Sequence, residues 1–129
     1  MNTKTIGSLG EKHAARMLKK AGYKILAKNL HQSHDEIDII ATNKTNLVFV
    51  EVKTRSVDNV EQSVGLAASA VNYEKQYHLI RAAKQYVLRN SKHSFNKQCR
   101  FDVIEIYFDK KSGKVCKTNH IINAFGIKQ

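Results

Sequence analysis

The chain is 129 residues long, the size of one domain, and its 42% hydrophobic content is enough to build a packed core. Its 22 Lys and Arg against 11 Asp and Glu leave a net charge of +11, which calls for a polyanionic partner, nucleic acid first. No apolar run reaches the roughly 18 residues of a membrane span, and the start Met1-Asn2-Thr3-Lys4-Thr5-Ile6-Gly7 has no apolar segment of signal-peptide length, so membrane roles are excluded and the cytoplasm is the expected compartment.

In chain order, a first helix is expected over residues 9–21. Ala14, Met17, Leu18 and Ala21 follow the i, i+3, i+4, i+7 pattern, and Gly22 ends it. Residues 23–30 read as a strand with Tyr23, Ile25 and Ala27 on one face. A turn over 31–34 follows, with His31 and His34 in it. Strands over 36–41 and 47–54 flank a loop at 42–46, and a polar loop covers 56–66. A second helix over 68–89 carries the stripe Leu79, Ile80, Ala83, Tyr86 and Val87, with Arg81, Lys84 and Gln85 turned away from it. After a loop over 91–98 come a strand over 100–108, a turn at 109–113 and an extended piece over 115–122. Cys99 and Cys116 lack metal-ligand spacing and are expected as buried free thiols. The first three strands should form an antiparallel meander, and the long helix should cross over to add a parallel strand. The expected class is α/β, one domain over residues 1–129, with helices flanking a mixed sheet in the order αβββαβ.

Two short segments carry the chemistry, Glu36-Ile37-Asp38 and Glu51-Val52-Lys53. Alternate side chains of a strand share a face. Glu36 and Asp38 should therefore point together, as should Glu51 and Lys53, and pairing of the strands would gather three carboxylates and an ammonium. Hard oxygen ligands suit Mg²⁺ or Mn²⁺. A Glu and a Lys two apart can equally neutralise each other on a wet face. The run from Leu47 to Val52, apolar except for Glu51, argues instead for a strand covered on both faces, where charge needs partners. Six of the eleven acids (Asp35, Glu36, Asp38, Glu51, Asp58 and Glu61) fall between residues 35 and 61. From Asn72 to Arg100 there are seven Lys or Arg and one acid, Glu74. This is the distribution of an acidic site set in a phosphate-binding surface.

The order of elements, with Asp38 and then Glu51-x-Lys53 on adjacent strands, resembles the restriction-endonuclease-like core of the PD-(D/E)XK nucleases, which include archaeal Holliday-junction resolvases. More narrowly, the chain is similar to the YraN family of predicted endonuclease-like bacterial proteins. The matching pieces are Gly7-x-x-Gly10-Glu11-x-x-Ala14, Gly22-Tyr23, Asn29, Glu36-Ile37-Asp38, Phe49 to Arg55, Lys75, Arg100-Phe101-Asp102-Val103 and Asn123-Ala124-Phe125.

The resemblance implies a Mg²⁺- or Mn²⁺-dependent nuclease acting on DNA. Asp38, Glu51 and the Val52 carbonyl would bind the ion, and Lys53 would assist the attacking water. Glu36 would act at the ion directly or through water. Glu11 would reach the site from the first helix, although Ser8 and Glu11 also fit a capping box. Lys75 would contact phosphate or be merely solvated, and Arg55, Arg81 and Lys84 are weaker candidates for the same contact. His31 and His34 are poor metal candidates because no third ligand follows, and Asp102 reads as structural, paired with Arg100. Asp35 departs from the glycine of the family pattern. It would either alter metal binding or face solvent. A nucleic-acid-binding module without chemistry is the alternative, and a homodimer is left open.

Overall fold

The computed structural model describes residues 2–32, 34–58, 71–90 and 96–126. Glu61, most of the expected loop at 56–66, residues 68–70 of the expected second helix and residues 91–95 lie outside the described residues.

Helix α1 spans Thr3–Lys20. It begins well before the apolar stripe because Asn2 caps it, its side-chain oxygen accepting the Thr5 N–H at 2.8 Å. Ser8 is therefore an interior helical residue, and the Ser8–Glu11 capping box does not form. The C-terminal end is as expected, with Gly22 at φ +94°. Ala14, Ala15 and Leu18 bury the inner face.

Strand β1 (Lys24–Gln32) pairs antiparallel with β2 (Asp35–Thr42), and β2 with β3 (Asn46–Val57). After α2 (Tyr73–Arg89), β4 (Gln98–Asp109) joins β3 in parallel, and β5 (Val115–Phe125) closes the order β1-β2-β3-β4-β5. This is the expected αβββαβ order with one more strand. Asn72 caps α2 by accepting the Lys75 N–H at 2.9 Å, so the helix starts at Tyr73.

The helices cover opposite faces of the sheet. Ala14, Ala15 and Leu18 pack on Ile39, Ala41, Val48, Val50, Ile104 and Ile106. On the other face Leu79, Ala82, Ala83 and Tyr86 pack on Ile37, Ile40, Leu47, Phe49, Phe101 and Val103. Phe49 meets Tyr86 edge-on at 6.0 Å and stacks on Phe101 at 5.5 Å. Each such side chain contributes about 1.5–3 kcal/mol on full burial. A strand covered on both faces reads as a continuous apolar run, which is why residues 47–50 do.

Two irregularities break the simple alternation. A register shift between Ile25 and Ala27 turns Leu26 and Ala27 toward α2, away from the face of Tyr23 and Ile25. Ala27 thus leaves the face expected for it. Further along, Asn29 takes the left-handed conformation, φ +51°, and no partner of Asp38 appears in the β1–β2 ladder. Ile37 then packs with the α2 face although Ile39, two residues on, packs with α1.

Cys99 is exposed at the start of β4 and Cys116 half-buried in β5; both are free thiols, but neither is buried as expected. The core does not extend under the first residues of β4. Among the described residues, no helix is long and apolar enough to cross a membrane.

Candidate active site

The antiparallel ladder between β2 and β3 runs only from Thr42↔Leu47 to Ile39↔Val50. Beyond that pair the strands part. Asp38 is the first β2 residue past the fork, and its Oδ2 accepts the Val52 N–H at 2.8 Å. A side chain has taken the place of the missing strand carbonyl, which meets the requirement that a backbone donor be paired. The same bond fixes the carboxylate beside β3.

Into this fork project the acidic groups. Glu51 is only 6% exposed. Its Oε1 lies 3.8 Å from both Lys53 Nζ and Lys75 Nζ, while Oε2 is buried without a hydrogen-bond partner. Glu11 reaches in from α1 to line the same cleft as Asp38, whose charge bears on it. The Asn29 amide, its nitrogen turned to Glu11, donates to both Glu11 oxygens at 2.9 and 3.1 Å. Asn29 can do so because it adopts the left-handed conformation, which Asn tolerates better than most residues. Glu11, Asp38, Glu51, Val52, Lys53, Thr54 and Arg55 line one cleft of about 480 Å³ together with Ile6, Gly7 and Ser56.

The electrostatics follow from the crowding. Burial, then the charge of Asp38, pushes Glu51 up to about 7, against the opposing pull of Lys75 and Lys53. Burial likewise raises Asp38 despite the Val52 N–H, and burial with the charge of Asp38 raises Glu11. Glu36 is exposed and does not line the cleft, yet its charge raises all three. Three carboxyls thus crowd one cleft, and burial with mutual repulsion outweighs the pull of the lysines.

The donor set suits a hard divalent cation. Mg²⁺ is usually held by one or two carboxylates and keeps several waters, and so needs no closed protein cage. Among the described residues no three His, Cys, Asp or Glu side chains form such a cage. Asp38 and the unsatisfied Glu51 oxygen, beside the Val52 backbone, meet the lesser requirement. His31 and His34 are both exposed and take no part.

The basic residues divide. Lys53 and Arg55 belong to the cleft wall and Lys75 reaches it from α2. Lys84 is exposed on α2 outside it. Arg81 is engaged elsewhere: its Nε and one terminal nitrogen donate to Asp35 at 2.8 and 2.9 Å, and His78 Nδ1 lies 2.8 Å from the same carboxylate. Asp35 is 3% exposed, so it neither faces solvent nor joins the cleft; it fastens α2 to the start of β2. The Arg81 hydrogen bond holds Asp35 below the usual carboxylate range.

Asp102 is structural, as expected. It accepts from Arg100 twice at 2.9 Å and from the Asn123 N–H at 3.0 Å, and lies 2.7 Å from His120 Nε2. Burial alone would raise its pKa, but these bonds outweigh burial and lower it. Asn29 and Asp35 are the supports whose tasks the sequence did not disclose. Asn29 was visible as a matched residue, but its task depends on a backbone angle.

Comparison with known proteins shows the family. The model of the uncharacterised protein family UPF0102, also called YraN, matches residues 10–106. A UPF0102 protein of Caldanaerobacter subterraneus is 45% identical over 97% of this chain and 98% of its own. One from Alkaliphilus oremlandii is 43% identical over 95% and 98%, and one from Clostridioides difficile 41% identical over 97% and 100%. Similarity at this level, spread over nearly the whole of each chain, makes this protein a member of the UPF0102 family.

Proposed function

We propose that this protein is a metal-dependent nuclease that hydrolyses phosphodiester bonds in DNA. The observation that carries the reading is Glu51: a buried carboxylate with one oxygen unsatisfied, beside Asp38 and under two lysines, in a chain of net charge +11. A buried carboxylate oxygen without a hydrogen-bond partner costs stability. A fold keeps such a group where function requires it.

Asp38 and Glu51, with the Val52 carbonyl, are the groups that would hold Mg²⁺ or Mn²⁺. The bound cation supplies positive charge that polarises a phosphate oxygen and makes water easier to deprotonate. Lys53 stands on the cleft wall, where its ammonium stabilises negative charge growing on the phosphate. Lys75 balances Glu51 from the opposite element and draws the backbone phosphates of DNA toward the fork. Glu11, steadied by Asn29 beside Asp38, would hold a proton between the two carboxyls that a bound cation would displace.

The test is a cleavage assay with Mg²⁺ or Mn²⁺ on linear, single-stranded, flapped and four-way-junction DNA, with Glu51→Gln beside the unaltered protein. Cleavage abolished by Glu51→Gln supports the reading. Tight, salt-dependent binding with no cleavage of any substrate would sink it in favour of a binding module.

A further inference from the structure

The outer face of α2 is unlike an ordinary solvated helix face. Tyr73, Tyr77, Arg81, Lys84 and Leu88 recur at spacings of three and four, so they form one stripe along the helix. Tyr73 is 74% exposed, Tyr77 60% and Leu88 82%. Large aromatic rings are rarely left in water, because each forfeits the stabilisation of burial. Here two stand one turn apart, at the end of α2 that also carries Lys75, the residue 3.8 Å from Glu51.

The second ring is held in place. The Arg81 guanidinium lies over the Tyr77 ring at 5.4 Å, and Arg81 is itself clamped by the buried Asp35. A ring fixed before its partner arrives loses little freedom on binding. Beside it runs a groove of about 270 Å³ lined by Tyr77, Ile80, Arg81, Lys84, Gln85 and Leu88. Rings and aliphatic surface interleaved with cations match a strand of bare bases linked by phosphates. Tyrosine stacks on any base whose face is open, whereas a paired base is already stacked within its duplex.

We propose that this stripe is a stacking surface for unpaired bases, so that the nucleic acid led to the cleft carries a single-stranded segment. The inference rests on the nuclease reading only for what happens to the strand afterwards. Binding to the stripe needs neither metal nor cleavage. Recognition is indifferent to sequence, since every base has a π-face, and Arg81 serves as the prop under Tyr77 and not chiefly as a phosphate contact.

The experiment compares a short oligothymidylate with a duplex of equal length, in chelator so that nothing is cut, at several salt concentrations. The chain has five tyrosines and no tryptophan, so its intrinsic fluorescence is tyrosine fluorescence, and stacking should quench it. The double variant Tyr73→Leu, Tyr77→Leu should bind oligothymidylate at least about tenfold more weakly, with the quenching lost and duplex affinity changed less than about twofold. Tyr77→Phe, which keeps a ring, should bind almost as the unaltered protein does. Circular dichroism checks that the leucine variant retains its helices. Equal loss for both polymers, or no loss for either, overturns the inference while leaving the nuclease reading intact. So does self-association that the double variant abolishes with single-strand affinity unchanged, since the stripe would then be a protein interface. A salt-independent affinity for both polymers in the unaltered protein would instead remove the nuclease reading together with this one.

Discussion

At the scale of single residues, Glu51 is the group whose behaviour is easiest to test. Unfolded, its carboxyl titrates near the ordinary 4.5; folded, near 7. Between those values the native state retains a proton that the unfolded state has lost, so stability falls as pH rises, and the full penalty is present above pH 7. Glu51→Gln removes that titration. The variant should be more stable than the unaltered protein near pH 8, by about 1–3 kcal/mol. Thermal melts at about pH 8 and pH 4 should show this as a rise in Tm of several degrees at the higher pH and little at the lower. Added Mg²⁺ should raise the Tm of the unaltered protein near pH 8 and leave Glu51→Gln almost unchanged. Asp102 behaves in the opposite sense. Its folded pKa is lowered, so its contribution is complete above the unfolded value, near 3.8, and disappears as pH falls through the folded one. Asp102→Ala leaves half-buried Arg100 without its carboxylate partner and should cost about 3 kcal/mol, measured by denaturant unfolding.

At the scale of elements, the close approach of α1 to β3 sets the depth of the cleft. Gly10 lies against Thr54, and a methyl group on Gly10 would run into the Thr54 hydroxyl. Thr is β-branched and cannot swing aside cheaply. Gly10→Ala should therefore push the helix outward, cost about 1–3 kcal/mol and withdraw Glu11 from Asp38. Adding Thr54→Ala should restore most of the lost stability, as unfolding midpoints of the single and double variants would show. This approach also explains what sequence could disclose. The apolar runs of β2 and β3 and the stripe of α2 were plain because packing on both sheet faces dictates them. The start of α1 was missed because Asn2, and not a hydrophobic stripe, sets it. Glu36 and Asp38 were expected to act together by simple alternation. Asn29 and the fork at Asp38 interrupt that alternation, so Glu36 remains outside the cleft lining. Asp35 could not be read at all, since its partners His78 and Arg81 lie more than forty residues away.

At the scale of the whole molecule, a strongly basic chain carries a cleft crowded with carboxyl groups. On the proposed reading, the excess of cations would draw DNA in, and the acids would resist the phosphate until a cation is bound. Affinity should fall by about 0.9 log unit per decade of salt for each duplex phosphate neutralised. Lys75→Gln with Lys84→Gln should reduce that slope by at most about two such increments, as titrations of labelled duplex would show. Asp38→Asn without metal should bind DNA as well as the unaltered protein or better, because it removes a like charge facing the phosphates. Weaker binding would mean that DNA does not enter the fork.

The hydrogen bond from the Val52 amide to Asp38 has one more consequence. In an ordinary sheet that proton would be guarded by a carbonyl, whose hold does not change with solution conditions. Here it is guarded by a carboxylate that can gain a proton, rotate toward a cation or give up its grip. The amide at position 52 is thus a spectroscopic gauge placed at the fork. Its chemical shift and hydrogen-exchange rate should register protonation or cation loading while neighbouring ladder amides, such as those of Val48 and Val50, stay still. The state of the site could then be followed from one backbone resonance, with no DNA present and no bond cut.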